Sequence, residues 1–252
     1  MKIAIVSGAS SGMGREFARF FDSHGLDEIW VIARREDRLQ ELKQELQTPI
    51  RIFSFDLLKE GSFTIFHHIL LQENPTVLYL VNAAGFGVFG NETMDLKQIN
   101  QMIDLNVKAL VNMTYLCIPF MPTGSHIIEL GSISSFTPLV NFNIYASTKA
   151  FVLHFSNALY EELKPRGIHV SVICPGWVKT EFFKEANPSK TDYAPRFIWP
   201  VYDAKSIVQK AMKDAERGRM ISLPYRFPKF HYTAMKLMPK KVVMQLWKRM
   251  QK

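Results

Sequence analysis

The chain has only two cysteines, Cys117 and Cys174, far apart and in no Cys-x-x-Cys pair. That scarcity excludes a disulfide framework and a thiolate zinc site, and it fits a reduced, cytosolic setting. Long apolar runs are also lacking: nothing approaches the roughly 18 uncharged residues of a membrane-spanning helix. The opening run, Met1 to Val6, is too short for a secretory signal and meets a glycine turn at once, so no leader is expected. There is no internal repeat, low-complexity tract or Gly/Ser linker. His67 and His68 are adjacent rather than a helical turn apart, so they read as ordinary helix residues and no metal is expected. Acidic residues stop early, with none after Glu216. From Arg226 onward come Lys229, Lys236, Lys240, Lys241, Lys248, Arg249 and Lys252, so the tail carries the whole formal net charge of +8. The near-neutral body argues against a nucleic-acid partner, and the basic tail points to a local surface or partner.

What is present is ordinary globular material, 47% hydrophobic and 21% charged over 252 residues, enough for one α/β core. Short β-branched runs read as buried parallel strands at Ile3–Val6, Ile29–Ile32, Ile50–Phe53, Val77–Val81, Ile127–Leu130 and Val170–Ile173. Amphipathic stretches such as Arg35–Leu46 and Tyr145–Leu163 alternate with them. This rhythm predicts an α/β fold, a doubly wound and mostly parallel sheet with helices on both faces. Periodicity weakens over 176–202, where Pro188, Pro195 and Pro200 fall among aromatics, and this stretch is expected to be a loop. A helix near Asp203–Arg217 and a last strand, Arg219–Leu223, restore the pattern. The expected division is a catalytic domain over 1–225 and a basic amphipathic extension over 226–252.

The first strand runs into Ser7-Gly8-Ala9-Ser10-Ser11-Gly12-Met13-Gly14, which opens a helix. Glycines at a strand-to-helix turn let the backbone approach a pyrophosphate, and the helix N-terminus offers free N–H groups. The spacing is Gly-x3-Gly-x-Gly rather than the commoner Gly-x-Gly-x2-Gly. The second strand ends in Ala33-Arg34-Arg35, where a site for NAD carries a carboxylate and a site for NADP carries arginine. Arg34, with Arg35 beside it, therefore points to NADP(H) in preference to NAD(H), because a guanidinium fork fits phosphate oxygens. Glu36 and Asp37 nearby leave the alternative that both arginines only begin a solvated helix.

A Tyr-x3-Lys pair puts a phenol and an ammonium on one helix face, where the cation can lower the phenol pKa for acid/base work. The pattern occurs at Tyr145/Lys149, Tyr160/Lys164, Tyr225/Lys229 and Tyr232/Lys236. Only Tyr145 follows a strand that ends in serines, Gly131-Ser132-Ile133-Ser134-Ser135, at the sheet edge where such folds bind ligands. In this order of motifs the sequence resembles the short-chain dehydrogenase/reductase family, in its compact, single-domain, Rossmann-like form, over about residues 2–223. The matched positions also include Asp56, Asn82-Ala83-Ala84-Gly85, Asn106, and Pro175-Gly176 with Thr180. The resemblance implies that Tyr145 is the acid/base, that Lys149 lowers its pKa and holds the nicotinamide ribose, and that Ser132 hydrogen-bonds the substrate oxygen. Asn106 would support a water-linked proton relay to Lys149. Asp56 with Leu57 would contact adenine, Asn82 with Ala83, Ala84 and Gly85 the adjacent ribose region. Gly8, Ser10, Ser11, Gly12, Met13 and Gly14 would hold the phosphates, and Pro175, Gly176, Val178 and Thr180 the nicotinamide. Two departures stand out: Ser7 replaces the family's Thr, keeping a hydroxyl, and Ala83 replaces its second Asn, which puts one inter-strand hydrogen bond in doubt. Ser134 and Ser135 rival Ser132, which the thirteen-residue step to Tyr145 favours by resemblance. A homodimer or homotetramer is implied on the same ground.

The segments flanking this site are apolar: Phe86, Val88 and Phe89; Phe136, Leu139, Val140 and Phe142; Phe182, Phe183, Tyr193, Phe197, Trp199 and Tyr202. Such walls suit a hydrophobic ketone or secondary alcohol, whether steroid, acyl or aromatic. A 3-oxoacyl reductase and a non-catalytic dinucleotide sensor are the alternatives. In the tail, Val242, Val243, Leu246, Trp247 and Met250 form one helical stripe, opposite Lys241, Gln245, Lys248 and Lys252. That stripe can dock on the chain's own domain or a partner subunit, the preferred reading, or make weak contact with an anionic membrane surface. Upstream, Phe227, Phe230 and Tyr232 are candidates to cap the substrate cleft.

Overall fold

The computed structural model describes residues 1–90, 95–186, 194–195 and 200–251. Pro188, Tyr193, Phe197, Trp199 and Lys252 lie outside the described residues.

Strand β1 (Lys2–Ser7) is buried at every residue but its first. Its side chains alternate, Ala4 and Val6 entering one core and Ile3 and Ile5 the other, as the two-residue period of a strand requires. A strand buried on both sides belongs at the centre of a parallel sheet. Seven parallel strands follow that logic: β2 (Glu28–Ile32), β3 (Ile50–Phe53), β4 (Thr76–Asn82), β5 (His126–Leu130), β6 (His169–Ile173) and β9 (Ile221–Ser222) join β1. Their order is β3-β2-β1-β4-β5-β6-β9, with Ile5 level with Trp30 on one side and Leu80 on the other. The sequence prediction of a doubly wound parallel sheet holds, the last strand being shorter than expected.

Helices α1 (Gly12–Phe21), α2 (Glu36–Glu45) and α8 (Ala204–Glu216) cover one face, burying Phe17, Phe21, Leu39, Leu42, Ile207 and Met212. Helices α3 (Glu60–Glu73), α5 (Leu110–Cys117) and α6 (Asn143–Leu163) cover the other with Phe66, Leu70, Met113, Cys117, Leu159 and Leu163. Each such side chain contributes on the order of 1.5–3 kcal/mol by leaving water. Helix α4 (Leu96–Ile103) passes into α5 through a π-helical turn, Asp104–Ala109, that carries Asn106.

The stretch read as a loop holds more structure than its weak periodicity suggested. It contains β7 (Trp177–Lys179), paired in parallel with β8 (Val201–Asp203), and α7 (Phe182–Ala186). The reason is local: three residues a strand is too short for a period to register in sequence. Beyond β9 the chain turns at Tyr225, whose φ of 74° is left-handed, into α9 (Arg226–Leu237) and α10 (Lys240–Gln251).

Sheet order reverses between β1 and β4, one chain leaving β1 toward β2 and the other continuing from β4 toward β5. Ligands in open α/β sheets bind outside the carboxyl ends of the strands at such a point. The loops after β1, β4, β5 and β6 all open there.

Candidate active site

These loops and the tail enclose one continuous cleft of about 700 Å³. At one end lies the phosphate loop. Gly8, at φ 70°, accepts the turn, and a Cβ there would stand 2.8 Å from the Ala84 nitrogen, so only glycine allows β1 and the loop after β4 to meet. Ser7 Oγ lies 3.2 Å from both the Ala83 and Ala84 nitrogens and accepts from them. The hydroxyl kept at position 7 thus ties the two strand ends together, where Ala83 has no side chain to do so. Ser11 caps α1 without a side-chain bond to its first turn, which leaves first-turn N–H groups for an anion.

Arg35 lies over this loop. It donates to Ser11 Oγ at 2.6 Å and to Ser10 Oγ at 3.3 Å, and pairs with Glu181 at 2.9 Å. Arg34, the residue singled out in the sequence, lines the same edge and is exposed. Asp56 and Leu57 line the next part of the groove, and the Asp56 carboxylate accepts from the Leu58 nitrogen at 3.1 Å. Hydroxyls, guanidinium groups and helix N–H groups on one side, with a carboxylate further along, are a donor set that fits a nicotinamide dinucleotide.

At the other end, helix α6 brings Tyr145 and Lys149 to the cleft wall, both buried. The other three Tyr-x3-Lys pairs do not line it. Tyr160 instead donates to the Gly218 carbonyl at 3.2 Å, and Tyr232 packs edge-on to Phe136. Ser132 and Tyr145 line this wall together, and Ser132 Oγ lies 2.6 Å from Ser134 Oγ. Ser135 is used elsewhere, donating to the Lys149 carbonyl at 2.8 Å. Ser132 and Ser134 both line the cleft, and Ser135 does not.

Protonation differs from the sequence expectation. Burial raises the Tyr145 phenol above its ordinary value, with the Ser132 hydroxyl opposing. Burial lowers the Lys149 ammonium to about 8, against the pull of Cys174 and Glu129. Lys149 Nζ donates to the Leu130 carbonyl at 2.6 Å and lies 5.8 Å from the Tyr145 ring centre. The ammonium is thus held by backbone, and desolvation, not the cation, dominates the phenol.

Two predicted site residues lie off the cleft lining. The Asn82 side chain turns into the protein, donating to Thr114 Oγ1 at 2.9 Å and Glu129 Oε1 at 3.1 Å. A buried carboxylate thus captures the amide of the residue expected beside the ribose. Asn106 lies beneath the cleft and clamps Phe86, donating to its carbonyl at 2.8 Å and accepting from its nitrogen at 3.0 Å. The remaining predicted residues line the cleft: Gly8, Ser10, Ser11, Gly12, Met13, Gly14, Ala83, Ala84, Gly85, Pro175, Gly176, Val178 and Thr180 join those described above.

The substrate end is apolar, with Phe86, Leu139, Phe142, Trp177, Phe182 and Phe183. The tail adds Phe227, His231, Met235, Val243, Leu246, Trp247 and Met250. Trp247 donates from Nε1 to the Val140 carbonyl at 2.8 Å, and Gln251 donates to the same oxygen at 3.0 Å. The preferred reading of the amphipathic tail, docking on its own domain, describes Val243 and Trp247. Sequence reasoning missed Glu129 and His231. A carboxylate inside the apolar run of β5 was a visible signal for the first; nothing local marked the second.

A groove for a dinucleotide, opening onto an apolar chamber with a buried tyrosine, lysine and serine, defines a nucleotide-dependent oxidoreductase. The chain belongs to the short-chain dehydrogenase/reductase family: the model of that family, short chain dehydrogenase, matches residues 2–191. It is 34% identical over 187 residues to sulfoacetaldehyde reductase 2 of Chromohalobacter salexigens, covering 71% of this chain and 74% of that one. It is 35% identical over 185 residues to the NADP-dependent 3-hydroxy acid dehydrogenase of Escherichia coli, with the same two shares, 71% and 74%. Among solved structures, a short-chain dehydrogenase from Sphingobium yanoikuyae in complex with NADPH superposes with a TM-score of 0.80 at 26% identity, over 94% of this chain and 92% of that one. The protein is accordingly an oxidoreductase of CH–OH groups that uses a nicotinamide cofactor. Helices α8, α9 and α10 lie beyond the residues that the family model matches.

Proposed function

We propose that the protein is an NADPH-dependent reductase of a bulky, uncharged, hydrophobic ketone, reversible on the secondary alcohol. The observation that carries this reading is the position of the Tyr145 phenol. It lines the cleft together with Ser132 where the dinucleotide groove meets an aromatic chamber roofed by the tail. When bound, the cofactor supplies the hydride. Tyr145 donates the proton to the carbonyl oxygen, and Ser132 hydrogen-bonds that oxygen. Lys149 holds the nicotinamide ribose, and Asn106 supports a water-linked relay to it. Gly85 stands between the two, since a Cβ on it would lie 2.8 Å from Asn106 Oδ1 and 3.6 Å from Lys149 Nζ. Arg34 and Arg35 favour the 2′-phosphate, and Ala33 leaves no carboxylate for an unphosphorylated ribose.

Two relatives bear the names of enzymes for small anions, a sulfonate and a hydroxy acid. Among the described residues, Arg34, Arg35, Asp56 and Glu181 are the charged side chains at the dinucleotide end of the cleft, and Lys149 and Glu185 are the others that line it. A wall of aromatic rings, with one buried lysine as its cation among the described residues, favours an uncharged substrate. The homodimer or homotetramer belongs to the same reading, with exposed Tyr115 on α5 and Phe151 on α6 as apolar surface for it.

The test is a panel of aromatic, alicyclic and 3-oxo acid substrates with NADPH and NADH, read by cofactor absorbance. Turnover of bulky ketones with NADPH is expected. Tyr145→Phe should abolish it and leave NADPH binding within about twofold, since the phenol acts in the transition state. Preference for the 3-oxo acid or for NADH, or an active Phe variant, overturns the corresponding part.

A further inference from the structure

The two C-terminal helices each turn one face into the cleft and leave an adjoining apolar stripe bare. On α10, Val243 and Trp247 are buried, while Val242, Leu246 and Met250 are 41%, 44% and 43% exposed. On α9, Phe227, His231 and Met235 line the cleft, while Phe230 and Leu237 are 72% and 80% exposed. Leu246 and Met250 do both, lining the cleft and reaching solvent, so the bare stripe runs to the cleft mouth. Single exposed apolar residues are ordinary on a protein surface; a run of them along two consecutive helices beside a pocket marks an interaction site.

The charge around the stripe selects the partner. By helical spacing, Arg226, Lys229 and Lys236 border Phe230 and Leu237 on the side away from the cleft. On α10 Arg249 borders Val242 in the same way, while Lys241 and Lys248 stand on the face opposite the stripe. All six are exposed, and no acidic residue follows Glu216 in the sequence. A second copy meeting this face would bring like charges together. An apolar stripe flanked by cations is the pattern of helices that lie in the headgroup region of an anionic bilayer.

We infer that this face docks on an anionic lipid surface, with the mouth of the cleft against the membrane. Contact is peripheral: among the described residues no helix is long and apolar enough to cross. A lipophilic ketone dissolved in the bilayer would then enter without passing through water, a consequence that rests on the function proposed above. Docking itself does not rest on that function and is measured without substrate.

The full chain is sedimented with vesicles of phosphatidylcholine, alone or mixed equally with phosphatidylglycerol. Binding to the mixed vesicles is expected, about tenfold weaker to phosphatidylcholine alone and weakened again by salt. Two triple variants, Phe230→Ser/Leu237→Ser/Val242→Ser and Lys229→Glu/Lys236→Glu/Lys241→Glu, avoid the cleft lining. Each should melt like wild type, turn over a water-soluble ketone at the same rate and lose vesicle binding. Failure to bind mixed vesicles, equal binding to both lipids, or binding that survives both variants overturns the inference. A dimer in light scattering that the serine variant dissociates, without vesicle binding, gives the face to a second copy and overturns it too. Vesicle binding with no ketone turnover would leave docking standing and remove the proposed function instead.

Discussion

Asn82 and Glu129 meet across the ends of β4 and β5, the amide Nδ2 donating to Oε1 at 3.1 Å. Thr114 Oγ1 lies 2.9 Å from that same carboxyl oxygen. The other oxygens of the pair, Asn82 Oδ1 and Glu129 Oε2, are closed off from water and have no hydrogen-bond partner among the described residues. Both are acceptors unless Glu129 carries a proton, which supplies the missing hydrogen. Burial pushes this carboxyl up to about 7, with the Asn82 and Thr114 bonds and Lys149 opposing.

Stability should therefore fall as pH rises through a defined window. From about 4.5, the ordinary carboxyl value, to about 7, the folded protein keeps a proton that the unfolded chain has released. Each pH unit in that window removes about 1.4 kcal/mol, and above it the loss is complete and constant. Glu129→Gln keeps an acceptor for Asn82 Nδ2, adds a donor for Oδ1 and cannot titrate. Its melting temperature should drop less than wild type between pH 5 and pH 8. Parallel drops would show that Glu129 does not carry the effect.

A second prediction concerns Gly87. A Cβ there would lie 2.6 Å from Tyr145 Cδ2 and 2.8 Å from Phe142 Cζ, two rings already stacked with centres 4.5 Å apart. Neither can retreat easily, because Phe142 also stacks on Phe89 at 4.0 Å. Gly87→Ala should shift the phenol and lower kcat by about tenfold to a hundredfold, as sub-ångström to ångström misplacement of a reacting group does. NADPH binding, measured by fluorescence titration, should be unchanged. Wild-type kcat would mean that the ring tolerates the methyl.

The pH profile separates the two buried titrating groups of the site. The phenol stays protonated over the working range because burial raises it, whereas Lys149, lowered to about 8, loses its charge there. The kcat/KM for NADPH, which reports the free enzyme, should decline as pH rises through about 8. Lys149→Arg keeps the cation at all these pH values and should lose that limb, at a lower rate. A decline near 10 in wild type would assign it to the tyrosine instead.

How far the site could be read in advance depended on the range of the contacts involved. The strand at Ile50–Phe53 and the rise of α6 through Tyr145 follow from local period, and the structure places both where the pattern put them. The choice of Tyr145 among four similar pairs needed only its place after Ser132. Asn82 could not be placed the same way, because its partner Glu129 lies 47 residues away on a neighbouring strand. The burial of the phenol was out of reach for a similar reason: helical spacing gives the nearness of Lys149, but not the depth at which Tyr145 lies. In the tail, one stripe was legible and its division was not. Only the folded cleft separates Val243 and Trp247, which dock, from Val242, Leu246 and Met250, which remain bare.

The last prediction turns on Arg35. Its guanidinium binds both loop serines and is shared with Glu181, a carboxylate reaching in from the turn after β7. Both side chains of this ion pair are partly exposed, 40% and 44%, so it is worth at most about 1 kcal/mol. An anion arriving at the phosphate loop competes with Glu181 for the same donors. Glu181→Gln removes the competing charge, and the Kd for NADPH should fall about twofold to fivefold, the equivalent of that pair energy. Arg35→Ala should raise it by tenfold or more, since a charge-assisted bond to phosphate is lost. NADH separates the two kinds of phosphate contact. If Arg35 serves the 2′-phosphate, both variants leave NADH affinity nearly unchanged; if it serves the pyrophosphate, both cofactors shift together and Arg34 alone is left to discriminate.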